Sequence, residues 1–215
     1  VRAALLASWF GGSLLAAAPA AAGASAPIEL ARDGRTSYAI VLARGASPAE
    51  SLAASELAGY LGRISGAHFD VGAGAGAHRV IVVGIATPSD SLTGDAYAIR
   101  VRGDSLLLVG GSGRATLYAA YDLLQRLGCE WLAPGFAFYA GEHEIVPRRA
   151  TLVYDQAGDV VERPAIATRI LDVGQAASYD EATLRQLVAW LPKLRFNAVR
   201  FPANHGGSGR VQWDH

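Results

Sequence analysis

The chain of 215 residues contains one cysteine, Cys129, and no methionine. A single thiol excludes an intramolecular disulfide framework and any cysteine-based zinc knuckle. Charge is sparse: Asp, Glu, Lys and Arg make up 18% of the chain, and 19 basic residues balance 19 acidic ones. With the two signs interspersed there is no electrostatic footprint for nucleic acid. Catalytic signatures are missing as well. There is no G-x-S-x-G, no Gly-Lys-Ser/Thr phosphate loop, and a dinucleotide fingerprint begun at Gly111 fails at Thr116. The histidines His68, His78, His143, His205 and His215 lack metal-ligand spacing. Neither a metal nor a cofactor is implied. What is abundant is apolar: hydrophobic residues reach 51%, which argues against disorder.

Residues 1–26 read as an address. Arg2 precedes an apolar run of about 16 residues, Ala3 to Ala18, followed by several A-x-A sites, the pattern of a secretory signal peptide. The run falls short of the roughly 20 residues a spanning helix needs. The expectation is export to the periplasm or outside the cell, with no membrane attachment after cleavage. The opening Val and the lack of Met imply a non-standard start codon or an incomplete reading frame.

The first strand signal is Ser37 to Ala43. Ser47-Pro48-Ala49-Glu50 then predicts a capping box with proline at the first helical position. Ala53, Leu57, Tyr60, Leu61 and Ile64 follow at helical spacing, with Gly66 as a left-handed stop. Phe69 to Val71 is a possible strand. Arg79 to Gly84 is a continuous apolar strand, the pattern of burial on both faces. Ala96 to Arg102 alternates, Gly103-Asp104 turns, and Ser105 to Val109 returns as a hairpin. The glycines Gly110, Gly111 and Gly113 lead into a helix from Arg114 to Leu127. Short strands follow at Glu130–Leu132, Glu144–Val146 and Thr151–Tyr154. The prediction for residues 28–155 is therefore an α/β (α+β) domain: a mixed sheet with two helices packed on one face.

Val160 to Pro164 reads as a linker. Beyond it Ile166 to Val173 is a strand, Ser178-Tyr179-Asp180-Glu181 a capping box, and Leu184, Leu187, Val188 and Leu191 a helical stripe ended by Pro192. Asn197 to Phe201 is a second strand. Strand, helix, strand over about 36 residues is a βαβ unit, the repeat of a parallel sheet or barrel. Alone it cannot bury its own faces. Residues 156–215 are therefore expected to be a linker and the start of an unfinished barrel.

Two local features carry structural rather than chemical readings. Glu142-His143-Glu144 lies on an extended segment whose neighbours point apart, so it is read as a solvated loop. Cys129, beside Glu130 and without an evident base, is read as a buried inert thiol.

The stretch GGSGRATLYAAYDLLQRLGCEWLAPG, Gly110 to Gly135, resembles the small α/β domain that precedes the catalytic barrel in α-glucuronidases and family-20 β-N-acetylhexosaminidases. Glu144-Ile145-Val146-Pro147 continues the likeness. Glu162-Arg163-Pro164-Ala165 through Arg169 is similar to the family's entry into barrel strand one, and Lys193 to Phe201 to its entry into strand two. The resemblance implies an exported glycoside hydrolase acting on carbohydrate. It also implies that the catalytic carboxyl groups lie on barrel strands later than the second, so this chain is expected to be inactive alone. Arg169 matches a strand-one arginine that binds sugar hydroxyls in hexosaminidases. Asp172 near the end of strand one, and Asn204 and His205 after strand two, are the other expected sugar contacts. The competing expectation is a stand-alone carbohydrate-binding module whose platforms would be Trp131, Phe136, Phe138 and Tyr139.

Overall fold

Helix α1 (Pro48–Ser65) begins as its sequence dictates. Ser47 accepts a hydrogen bond from the Glu50 backbone amide while the Glu50 carboxylate bonds back to Ser47, and Gly66 at φ 76° closes the far end. The computed structural model describes residues 27–72, 79–87, 90–173 and 179–200. The expected signal segment, Asn204 and His205 lie outside them.

Before α1 come β1 (Ile28–Arg32) and β2 (Tyr38–Leu42). After it come β3 (Val71–Gly72), β4 (Arg79–Ile85), β5 (Tyr97–Arg102) and β6 (Ser105–Gly110). Helix α2 (Gly113–Arg126) leads to the short strands β7 (Glu130–Trp131) and β8 (Glu144–Ile145), then β9 (Thr151–Tyr154) and β10 (Val160–Glu162). The main sheet has the order β10-β5-β6-β4-β2-β3. Strands β2, β3, β4 and β6 run parallel, while β5 is antiparallel to β6 through the Gly103-Asp104 turn. Strand β1 pairs antiparallel with β9, and β7 with β8.

Both helices pack on one face of this sheet, as expected. Ile40, Ile81, Val83, Leu106, Leu108 and Ile99 point into one core with Leu57, Leu61, Leu117 and Leu124. The opposite row, Val41, Val82 and Leu107, is only half-buried. The apolar run of β4 therefore does not mark burial on both faces: among the described residues no helix packs on the second one. Helix α2 is enclosed nearly all round, with ten of its fourteen residues buried. Leu117, Ala120, Tyr121 and Leu124 belong to the core of the sheet. Tyr118, Asp122 and Gln125, at i, i+4 and i+7, form a second stripe that meets residues 169–197.

The segment read as a linker is structural. Val160, Val161 and Glu162 pair with Ile99, Ala98 and Tyr97, and Val160 joins the core, so this edge of the sheet is closed by β10. The chain then forms β11 (Ile170–Asp172), α3 (Glu181–Trp190), a 3₁₀ turn (Leu191–Leu194) and β12 (Ala198–Arg200). Strand β11 is shorter than Ile166 to Val173, and Arg169, just before it, bonds to Asp95 of the first domain. Asp180, rather than Ser178, caps α3, accepting from the Thr183 amide at 2.8 Å; Ser178 is not among the described residues. Strands β11 and β12 are parallel with α3 between them, in a sheet separate from the main one. Its small cluster of Val173 and Leu187 leaves Ile170 and Val188 49% and 45% exposed.

Candidate functional site

Among the described residues, polar side chains gather at the joint between the α/β domain and the βαβ unit. Asp95, at the tight turn before β5, has a side chain only 9% exposed. One of its oxygens accepts from Arg114 Nε and Nη2 at 3.0 and 2.8 Å, and the other from Arg169 Nη2 at 2.7 Å and Asn197 Nδ2 at 2.8 Å. Burial pushes this carboxyl up, but the bonds from Asn197, Arg114 and Arg169 outweigh it and hold it below its ordinary range. Asp95 is thus a buried carboxylate that ties Arg169 and Asn197, just ahead of β11 and β12, to the first domain.

Arg195 makes the second tie. It caps the 3₁₀ turn in the left-handed region at φ 61°, which is uncommon for a non-glycine residue. Its guanidinium compensates by donating to Tyr97 Oη at 3.0 Å, Asp122 Oδ1 at 3.0 Å and Gln125 Oε1 at 2.6 Å. Burial pushes the Tyr97 phenol to about 12, so it remains protonated. Tyr118 adds a bond from its hydroxyl to the Phe196 carbonyl at 2.9 Å.

The third tie is Lys193, the one lysine in the sequence. Its ammonium lies 5.1, 5.7 and 6.0 Å from the ring centroids of Tyr60, Trp131 and Tyr121. It donates to Tyr60 Oη at 2.7 Å and lies 3.7 Å from Glu56. The three rings meet edge-on, Trp131 at 5.7 Å from Tyr60 and 5.1 Å from Tyr121. A positive charge against such rings is attracted by their electron-rich faces. Tyr60 Oη also accepts from Trp131 Nε1 at 2.9 Å and donates to Glu144 Oε2 at 2.5 Å, while Arg63 pairs with the other Glu144 oxygen at 2.6 Å. Burial and Glu144 raise the Tyr60 phenol, which stays a donor. Beside this cage runs a groove of about 390 Å³ lined by Trp131, Trp190, Glu144 and Gln186.

Several sequence expectations change here. Glu144 is not a loop residue in water; it is fixed by Tyr60 and Arg63, and His143 Nδ1 lies 2.7 Å from the Pro134 carbonyl. Trp131 is 5% exposed and belongs to the core, so it offers no sugar platform. The glycines after β6 serve close packing: a Cβ at Gly110 would sit 2.2 Å from the Thr116 amide nitrogen, and one at Gly111 2.6 Å from Thr93. Cys129 is buried and its thiol is raised to about 11, chiefly by that burial. Among the described residues no group of three or more His, Cys, Asp or Glu could hold a metal ion.

Of the expected sugar contacts, Arg169 sits at the amino end of β11. Its nitrogens donate to Asp95, the Arg195 carbonyl and the Ile166 carbonyl, and its guanidinium lies 5.7 Å from the Tyr118 ring. Asp172 is at the carboxyl end of β11, half exposed and paired with Arg200 of β12. The structure does not bring the two together. Asp95, Asp122, Lys193 and Arg195 were not singled out from the sequence. The run Lys193-Leu194-Arg195-Phe196-Asn197 was noted only for its resemblance, and nothing local shows that its two cations close a joint.

No family model and no curated protein matches the chain. Solved structures do. A family GH115 4-O-methyl-α-glucuronidase with specificity for decorated arabinogalactans is 13% identical at a TM-score of 0.59, over 82% of this chain and 26% of that one. The fold is one found in glycoside hydrolases. A GH20 β-N-acetylhexosaminidase from Streptomyces coelicolor A3(2) is 14% identical at 0.55, over 85% of this chain and 33% of its own. A GH138 enzyme targeting pectin rhamnogalacturonan II is 13% identical at 0.53, over 76% and 18%. The chain thus spans about a fifth to a third of the length of these glycoside hydrolases.

Proposed function

We propose that this chain is the exported, non-catalytic front portion of a glycoside hydrolase, in which the α/β domain holds the first strands of a catalytic (β/α)8 barrel. The observation that carries the reading is the joint: a parallel β11–β12 pair with its helix α3, bound to the α/β domain through Asp95, Asp122 and the Lys193 cage. A strand-helix-strand unit is the barrel repeat. The exposed faces of Ile170 and Val188 are what further barrel elements would cover. The task of the α/β domain is then mechanical, fixing the direction in which the barrel starts.

Cleavage of a glycosidic bond needs two carboxyl groups about 5–10 Å apart, or one acid helped by the substrate's own amide. On the carboxyl side of β11, Asp172 is engaged by Arg200 and Asp180 caps α3. Neither is free for acid–base work. In this reading Asp172, Asn204 and His205 meet sugar, whereas Arg169 belongs to the joint. The substrate class is carbohydrate, with glucuronic acid or N-acetylhexosamine groups suggested by the proteins of like fold. Export to the periplasm or beyond follows from the signal-like residues 1–26. The test is direct. The 215-residue chain, incubated with 4-nitrophenyl α-glucuronide and 4-nitrophenyl N-acetyl-β-glucosaminide, should release no nitrophenol above the blank; turnover of either overturns the non-catalytic reading.

A further inference from the structure

The turn before β5, the start of α2 and the chain between β10 and β11 line an open cavity of about 380 Å³. Its charged lining is Arg114, Arg163 and Arg169 against a single acid, Asp95. That acid is already saturated, since its two oxygens accept from Arg114, Arg169 and Asn197. Arg163 therefore stands apart. It is exposed, and its guanidinium has no ion pair or hydrogen bond among the described residues. Arg114 bonds to Asp95 through Nε and Nη2 only, which leaves its Nη1 over.

The excess of one sign says what the cavity can take. Three guanidinium groups against one carboxylate leave two positive charges unbalanced. Like charges gathered around one space repel, and an anion entering that space relieves the repulsion. The segment that carries Arg163 is stiff: β10 ends at Glu162, and Pro164 biases the residue before it to an extended backbone. A guanidinium presents a planar fork of N–H donors that matches the paired oxygens of a carboxylate, phosphate or sulfate. The ligand class is thus a small oxyanion. A neutral sugar has no charge to answer the arginines, and a cation is repelled by them.

We infer that Arg163, with Arg114 and Arg169, forms an oxyanion site in this cavity, the anion bridging α2 and the connector that leads into β11. The inference stands on the charges of the cavity and does not depend on the glycoside-hydrolase reading. The test is calorimetric titration of the full 215-residue chain at constant ionic strength with sodium phosphate, sodium sulfate and sodium glucuronate, with glucose as the neutral control. Wild type should bind at least one of the anions and not glucose; the anion bound most tightly tells an inorganic ligand from a sugar acid. Arg163→Ala should weaken that binding at least about tenfold, the scale of one charged hydrogen bond. Because Arg163 has no partner to lose, ligand-free Arg163→Ala should melt at the wild-type temperature, which separates binding from folding. Arg148→Ala removes an exposed arginine that does not line the cavity, and it should leave binding unchanged. No binding of any anion by wild type overturns the site, as does binding undiminished in Arg163→Ala or weakened equally in Arg148→Ala.

Discussion

Replacing Lys193 with methionine isolates the charge at the joint, because methionine keeps most of the apolar stem. Three contacts are lost. The ammonium faces three rings at 5.1–6.0 Å with its side chain 18% exposed, and a largely desolvated cation–π contact contributes about 2 kcal/mol. The rings share one charge, so their contributions do not add. The hydrogen bond to Tyr60 adds about 1 kcal/mol, and the pair with Glu56 adds little because it is long, at 3.7 Å, and the Glu56 side chain is 26% exposed. The total of about 2–3 kcal/mol corresponds to an opening equilibrium shifted about 30- to 150-fold. The effect should be local, since the α/β domain keeps its own core. Amide hydrogen exchange reads it: protection should fall by that factor through Leu191–Leu194 and Ala198–Arg200 while the amides of α2 stay protected. Lys193→Arg, which keeps the charge, should behave much like wild type. Wild-type protection in Lys193→Met, or equal loss in α2, refutes the argument.

Two further predictions concern the rest of the scaffold. Folding lowers the pKa values of the Asp95 and Glu144 carboxyls, so their stabilisation is complete above the unfolded value near pH 4 and is lost as pH falls through the lowered folded values. Urea midpoints should therefore be flat from pH 5 to 8 and fall below about pH 4, and Asp95→Asn should cost about 3 kcal/mol at neutral pH while flattening the acid limb; a midpoint indifferent to that change refutes the ion-pair account. Gly110→Ala would press a methyl into the Thr116 and Ala115 backbone, whereas a Cβ at Gly135 meets nothing within 4 Å. The first should cost more than about 3 kcal/mol and the second under about 0.5 kcal/mol, read as melting temperatures; equal melting of the two shows that the turn is not tight.

Local signals and tertiary ones fared differently. The capping box at Ser47, the left-handed Gly66 and the Gly103-Asp104 hairpin were legible because their physics closes within a few residues. Strand β1 was missed: Ile28–Arg32 has a weak pattern and its partner β9 is more than a hundred residues away. Strand β10 read as a linker because Glu162, Arg163 and Pro164 look like loop residues, yet Val160 and its neighbours find β5. Glu144 looked solvated because Tyr60 and Arg63, which fix it, belong to α1. The cage escaped for the same reason. Its rings come from positions 60, 121 and 131 on three elements, and only the fold assembles them around Lys193.

That cage has a practical corollary. Since the sequence holds a solitary lysine, its ε-amine is the one side-chain amine open to acylation, and it is screened while the two halves are seated together. A mild N-hydroxysuccinimide ester, followed by mass spectrometry of the peptide around residue 193, would report the seating directly. The molecule carries its own latch indicator, and any mutation, pH change or glycan that loosens the hinge should register there as faster labelling.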